Sequence, residues 1–157
     1  MIFSKRAGIL LGLLTVVLAG MAYRHFTADT VEDRIRHALT EGRTAVEAED
    51  LEHAVSHISA EYRDERGWTF LILRRLLKDA FAQFDDFQVE MGTPVITRVE
   101  GHAEAAFDLR VFVRMGGQKG LLVGGQNEPA HVIFILGEES RQWLVREVRG
   151  IKTSTLP

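Results

Sequence analysis

The chain has 157 residues, of which 46% are hydrophobic and 26% charged, proportions typical of a single globular domain. Its formal net charge is −3, and because Lys5, Arg6 and Arg24 stand near the N-terminus, residues 25–157 carry 16 basic against 22 acidic side chains. This acidic balance disfavours a duplex nucleic-acid partner. The lack of cysteine excludes disulfides, a thiol nucleophile and a cysteine-based zinc site.

The N-terminal stretch is typical of a segment that enters a membrane. Lys5 and Arg6 precede the uncharged run 7–23, whose length of about 17 residues just reaches what a membrane-spanning helix needs. A cleaved signal peptide fits the same pattern, because Gly20 and Ala22 put small residues where a signal peptidase cuts. A helix buried in a soluble core fits less well, since the run is apolar on all sides.

Both membrane interpretations predict the same topology. The basic N-terminus stays in the cytoplasm, so we expect the rest of the chain outside it, in a bacterial periplasm or at a cell surface. The domain is anchored through residues 7–23, or secreted if the chain is cleaved after Ala22. We therefore divide the chain into an anchor or signal segment, residues 1–26, and a domain, residues 27–157, which we expect to be soluble on its own.

Three helices are predicted in the first half of the domain. Thr30 can cap a helix whose apolar residues follow at helical spacing, and Asp50 can cap a second, shorter one. The polar stretch 59–67 is predicted to be a loop. A third and most apolar helix begins at Thr69, with a predicted buried face of Phe70, Leu73, Leu76, Leu77, Ala80, Phe81 and Phe84.

The second half has the alternating pattern of an antiparallel sheet. In the stretch 103–115 the odd positions are apolar and most even ones are charged, so one face is buried and one is wet. Further strands are predicted at 87–91, 95–100, 130–136 and 142–151, and the 130–136 strand is expected to be central because both its faces are apolar. The glycine-rich stretch 116–129 is predicted to be a connection, and 137–140 a turn. The order of elements indicates an α+β fold.

This order of elements resembles the nuclear transport factor 2-like superfamily, which includes the SnoaL-like and ketosteroid isomerase-like proteins. The resemblance covers most of the stretch 31–151 and rests on soft patterns: the Glu-Ala-Glu-Asp-Leu-Glu stretch at 47–52, the exit 58–62, the helix from Thr69, and the final strand with Trp143, Val145 and Val148. It implies three helices packed on a curved, mainly antiparallel sheet that forms a cone, often with a pocket at the open end. The superfamily includes isomerases, dehydratases, cyclases, transport factors and membrane-anchored scaffold subunits.

The resemblance also suggests where a site would lie. Enzymes of the superfamily use an acid/base carboxylate or histidine beside a hydrogen-bond donor, and the candidates here are Asp64 as base and Tyr62 as donor. Tyr62, Trp68 and His102 are the candidate pocket residues. Each also has a simpler interpretation: the two aromatic residues fill the gap between helices and sheet, Asp64 binds loop amides, and His102 is solvated at a turn.

Other features carry weaker predictions. His53 and His57 have a spacing that can chelate a metal, but they lack the glutamate of a His-Glu-x-x-His motif, so we interpret them as a solvated pair and predict neither a metal nor a cofactor. Trp143 is predicted to be a core residue opposite Leu73, Leu77 and Phe81 of the third helix. Phe112 is apolar on the otherwise charged face of the sheet, which favours a homodimer through that face.

Two functional classes remain open from the sequence. We prefer a membrane-tethered binding or interaction module, with a small apolar ligand or a protein as its partner, because the residues form no convincing catalytic set. The rival is a small-molecule isomerase or dehydratase of the ketosteroid isomerase-like type. The two differ in whether Asp64 and Tyr62 converge within a closed apolar pocket.

Overall fold

The structure is a computed structural model that describes residues 29–151, and a compact unit begins at Arg34. Its helices are α1 (Val31–Glu47), α2 (Leu51–Ser56) and α3 (Phe70–Gln83). None of these helices is long and apolar enough to cross a membrane. The predicted membrane segment, residues 7–23, lies outside the described residues.

The two helix starts predicted from capping residues are confirmed. Thr30 and Asp33 form a reciprocal capping box, in which the Asp33 N–H donates to the Thr30 hydroxyl at 3.1 Å and the Thr30 N–H donates to the Asp33 carboxylate at 3.3 Å. At α2 the Asp50 carboxylate accepts from the His53 N–H at 3.1 Å. Helix α1 buries Ile35, Leu39 and Ala45, and α2 buries Ala54 and Val55.

Six strands form one open, antiparallel sheet around a long central strand. Strand β3 pairs along one edge with β1 and β2 and along the other with β4 and β5, and β6 pairs with β5. The predicted central position of the 130–136 strand is therefore confirmed, because β5 lies between β3 and β6. The strand bounds are β1 Asp85–Met91, β2 Val95–Val99, β3 His102–Met115, β4 Gln118–Val123, β5 Ala130–Glu139 and β6 Gln142–Arg149.

Strand β3 shows the predicted alternation, and its buried face supplies a large part of the core. Its odd positions from Ala103 to Val113 are buried, whereas Asp108 and Arg114 on the opposite face are exposed. Because successive side chains of a strand point to opposite faces, this places one apolar face against the helical layer. The last odd position, Met115, is exposed at the end of the strand.

Two strand predictions are wrong. The stretch 116–129 is not a plain connection, because β4 lies within it and its Leu121 pairs with Phe112. The predicted turn at 137–140 is also displaced, since β5 continues to Glu139 and the chain reverses at Ser140 and Arg141. Both turn residues have positive φ, 48° and 68°, the geometry of a tight hairpin turn.

The burial expected for the apolar residues of α3 is not observed. None of its residues is buried, and Leu71 is 74% exposed, with Ile72 and Leu76 also exposed. The helix begins one residue after Thr69 as predicted, although the Thr69 side chain makes no capping hydrogen bond. This helix is therefore rich in apolar residues, yet none of them is buried.

Trp143 is a core residue, as predicted, but its neighbours differ from those predicted. Only 7% of the residue is exposed. It lines a small space together with residues of α1 and the exit of α2, among them Ala38 and His57, and α3 contributes nothing to that space. Its indole Nε1–H is buried and has no hydrogen-bond partner.

We predict that Trp143→Ala lowers the free energy of unfolding by about 3 to 5 kcal/mol, because it removes a large buried side chain. Trp143→Phe should cost much less, since it retains an aromatic ring and breaks no hydrogen bond. Thermal or urea unfolding of both variants measures the difference. An equal loss in the two would contradict the view that Trp143 stabilises the fold by filling the core with its ring.

Candidate functional site

A cavity of about 330 Å³ lies between the helices and the inner face of the sheet. We call it the central cavity. Its wall is apolar except at two side chains, Arg43 and His57. The lining residues are Ala38, Leu39, Gly42, Arg43, Val46, Ala54, His57, Ile58, Leu77, Val89, Met91, Phe107, Leu109, Val111, Phe134, Val145 and Ile151.

The strand and helix periods explain why this wall is apolar. Phe107, Leu109 and Val111 are alternate residues of β3 and so project from the same face of the sheet. The Phe107 ring meets Phe134 of β5 with centroids 5.0 Å apart. A volume of this size is at the small end of the range for ligand pockets, about 300 to 1,000 Å³, so the cavity suits a small molecule.

His57 is the titratable group that the fold brings into this wall. Its Nε2 atom is buried and has no hydrogen-bond partner. A Cβ atom placed on Gly42 of α1 would lie 3.8 Å from the imidazole ring, so the ring lies close against that helix. Burial lowers the pKa of His57, and the negative charge of Glu41 only partly opposes this effect. The imidazole is therefore neutral at neutral pH.

Arg43 is the second polar group of the wall. Its Nε atom is buried without a hydrogen-bond partner, while the side chain as a whole is 38% exposed. The carboxylate of Glu47 lies 3.9 Å from that nitrogen, too far for a hydrogen bond. The other oxygen of Glu47 accepts from the Val89 N–H at 3.0 Å, which ties Glu47 to β1. The Arg43 side chain thus lines the cavity while part of it reaches the protein surface.

The candidate catalytic pair lies in the loop after α2 and does not line the central cavity. The Asp64 carboxylate accepts from the N–H groups of Arg66 and Trp68, both at 2.9 Å, and from the Arg66 guanidinium at 3.0 Å. Burial would raise its pKa, but these hydrogen bonds outweigh burial and hold the pKa below its usual value. Asp64 is therefore a poor base that fastens the loop.

Tyr62 is almost fully buried beside Asp64. Burial, and next the negative charge of Asp64, raise the pKa of Tyr62 to about 12. The phenol keeps its proton throughout the neutral range. The structure thus brings Tyr62 and Asp64 together, but away from the central cavity.

The other two candidate pocket residues also lie outside the central cavity. Trp68 is half-buried, with the Arg66 guanidinium 4.0 Å from its ring centroid. His102 begins β3, where it pairs with Val99, and its Nε2 lies 3.8 Å from the Glu104 carboxylate. None of the polar side chains that line the cavity was therefore among the candidate site residues predicted from the sequence.

The interpretation of His53 and His57 as a solvated pair is wrong for His57. His53 is exposed, but the ring of His57 is packed between α1 and β6 and lies 5.3 Å from that of His53. Among residues 29–151, no group of histidine and acidic side chains could hold a metal ion. One sequence feature could have indicated His57: it follows Ala54 by three residues and so lies on the apolar face of α2.

Comparison with known proteins establishes the fold but not the activity. The sequence matches no family model and no curated protein. Solved structures do match. A nuclear transport factor 2-like superfamily protein from Salmonella enterica serovar Typhimurium gives a TM-score of 0.62 at 13% identity, over 80% of this chain and 94% of that one.

Two further structures show the same similarity. A scytalone dehydratase-like protein from Novosphingobium aromaticivorans gives a TM-score of 0.63 at 12% identity, over 78% of this chain and 87% of that one. Bd1075 of Bdellovibrio bacteriovorus gives 0.61 at 9% identity over 76% of this chain, which spans 40% of that protein. Identities this low leave the activity open. The chain therefore has the nuclear transport factor 2-like fold that its sequence pattern resembles.

Proposed function

We propose that this chain is a membrane-tethered, extracytoplasmic binding domain that takes a small, mostly apolar molecule into its central cavity. The observation that carries the proposal is the cavity itself, whose wall is apolar except at Arg43 and His57. A binding site for a small molecule typically combines an apolar wall with a few polar groups that fix orientation. The side chain of His57, which lines this wall, is such a group.

The rival function, a small-molecule isomerase or dehydratase, has less support. Its proposed base and donor, Asp64 and Tyr62, do not line the cavity, and the Asp64 carboxylate is occupied by hydrogen bonds within its own loop. Acid/base catalysis requires a base within hydrogen-bond reach of the substrate. Binding of a small molecule requires only an apolar wall and a polar contact.

The tether is supported by the sequence pattern of the N-terminus. Lys5 and Arg6 flank the apolar run 7–23, and the excess of basic residues on one side of such a run favours retention of that side in the cytoplasm.

A homodimer through the sheet stays a proposal. Phe112 is half-buried on the outer face, and the Lys119 ammonium lies 4.3 Å from its ring centroid.

We predict that an apolar molecule that fits the cavity raises the melting temperature of the full chain held in lipid nanodiscs. A ligand at a hundredfold excess over its Kd stabilises a protein by about 2.7 kcal/mol. Decanol is a suitable probe, because it is slender, apolar and carries one hydroxyl. Leu77→Trp, which adds bulk to the cavity wall, should remove the effect of decanol.

Leu71→Trp is the matched control for this experiment. It makes the same substitution on the same helix at a residue that is 74% exposed and does not line the cavity. The control should respond to decanol like the unaltered chain. An equal response in the Leu77→Trp chain would mean that decanol acts through the bilayer, and the proposed binding function would then fail.

We also predict that a reporter active only outside the cytoplasm works when fused after Pro157. The reason is the asymmetric charge around the run 7–23, which directs the following chain across the membrane. Enzyme assays on intact and broken cells measure the location of the reporter. Activity of a cytoplasm-only reporter at the same fusion point would contradict the extracytoplasmic placement.

A further inference from the structure

We propose that the loop before α3 and the exposed side of that helix bind the surface of a lipid bilayer with anionic headgroups. We call residues 63–79 the interfacial segment. The inference goes beyond the proposed function, because it assigns a role to a surface that the central cavity does not use. It rests on that function in one respect, the membrane tether, which keeps the domain beside a bilayer.

The first two turns of α3 expose large apolar side chains to solvent. Leu71 is 74% exposed, and Ile72 and Leu76 are 40% and 41% exposed. Ile72 and Leu76 are four residues apart, so they are neighbours on one side of the helix. Single exposed apolar residues are common on protein surfaces, whereas a group of them marks a contact with a membrane or a partner.

The loop before the helix adds an aromatic side chain at the same end. Trp68 is half-buried and precedes Leu71 by three residues, and the Arg66 guanidinium lies over its ring, 4.0 Å from the centroid. Tryptophan is enriched where a protein meets the headgroup layer of a membrane, because its ring is apolar and its N–H is polar. Trp68 and the exposed apolar residues of α3 therefore have the composition of an interfacial contact.

Asp64 holds this loop in a fixed shape. Its buried carboxylate accepts from the N–H groups of Arg66 and Trp68, both at 2.9 Å. Arg63 and Thr69 form a backbone bridge across the same loop. Because the loop is already ordered in the protein alone, little conformational entropy is lost when Trp68 contacts lipid.

The interfacial segment is basic within an acidic domain. It contains five basic and three acidic side chains, whereas the rest of residues 25–157 contains 11 basic and 19 acidic ones. Each of its three acidic side chains lies within 4 Å of an arginine, in the pairs Asp64 with Arg66, Glu65 with Arg149, and Asp79 with Arg75. An anionic bilayer attracts basic residues close to its surface and repels the acidic remainder, so this charge distribution favours docking through the interfacial segment.

The mixture of side chains favours a bilayer over a second copy of the chain. Arg75 and Lys78 are exposed beside the apolar residues, and such long side chains can place their charges among headgroups while neighbouring leucines enter the acyl layer. In a symmetric dimer through this surface, the same basic side chains would face each other. Juxtaposed like charges disfavour such a contact.

The proposed tether makes a weak contact sufficient. Seven residues, 24–30, separate the apolar run 7–23 from the start of α1, and a chain of this length spans at most about 25 Å. A domain tethered in this way meets the bilayer surface at a high effective concentration. Stable membrane association commonly combines two such signals, an anchor and a basic surface.

Tryptophan fluorescence tests the contact, because the chain contains two tryptophans and one of them, Trp143, lies in the core. The full chain is placed in nanodiscs of phosphatidylcholine and phosphatidylglycerol whose acyl chains are brominated near the headgroup. Trp143→Phe leaves Trp68 as the emitter, and Trp68→Phe leaves Trp143. We expect the brominated lipids to quench Trp68 and to leave the emission of Trp143 unchanged.

The apolar part of the contact has a matched pair of variants in the Trp143→Phe chain. Leu71→Glu should abolish the quenching of Trp68, because it places a charge where the helix enters the acyl layer. Val95→Glu makes a similar change at a residue of β2 that is 67% exposed, and it should leave the quenching unchanged. Both residues are exposed, so both variants should fold, and their melting temperatures check this.

The charged part of the contact has its own pair. Arg75→Gln should lower the equilibrium constant between docked and free domain about fivefold, the effect of one basic residue at an anionic surface. Arg98→Gln removes an exposed arginine of β2 and should have no effect. Added salt, or discs of phosphatidylcholine alone, should also weaken the quenching of Trp68.

The outcomes separate this inference from the proposed function. A chain that stays in the discs without quenching of Trp68, or with equal quenching after Leu71→Glu, overturns the lipid contact and leaves the tether and the cavity in place. Equal quenching with and without phosphatidylglycerol overturns the recognition of anionic headgroups. A chain that elutes separately from the discs overturns the tether and this inference together. Failure of decanol to bind overturns the cavity function alone.

Discussion

The pairing of the α2 exit with strand β6 is the contact on which the central cavity depends. The Val145 N–H donates to the His57 carbonyl and the Val145 carbonyl accepts from Ser59, both at 2.9 Å. The Ser59 hydroxyl then donates to Glu139 of β5 at 2.8 Å. Because β6 is held by β5 and β5 by β3, this short segment fixes the His57 backbone to the whole sheet. His57 is thereby held where its side chain lines both the central cavity and the smaller space beside Trp143.

The distribution of unsatisfied atoms distinguishes the cavity from the loop that the sequence favoured as a site. In the described part of the chain, the buried side-chain atoms without a partner are Arg43 Nε, His57 Nε2 and Trp143 Nε1. All three belong to residues that line the central cavity or the smaller space that shares His57. The Asp64 carboxylate, by contrast, has its hydrogen bonds made within its loop. A protein of ordinary stability, about 5 to 15 kcal/mol, retains few unsatisfied groups, so these three atoms stand out among the described residues.

The sequence predicted the parts of this fold that local rules control. The caps at Thr30 and Asp50 and the alternation along β3 depend on near neighbours, so they were predictable. Strand β4 was missed because its glycine-rich surroundings are typical of a loop, while its pairing with β3 is made across the sheet. The exposure of α3 and the burial of His57 were missed for the same reason. Both depend on which surfaces the sheet leaves free, and a single sequence does not specify them.

The fold also does not determine the function, because proteins with the same fold can place different side chains in the same space. The nuclear transport factor 2-like fold supplies an apolar space between helices and sheet, and the chemistry of that space follows from the few polar side chains that reach it. In this chain they come from Arg43 on α1 and His57 at the end of α2, and Tyr62 and Asp64 serve the loop instead. The positions of these two side chains in an otherwise apolar wall, and not the fold itself, therefore limit which molecules the cavity can accept.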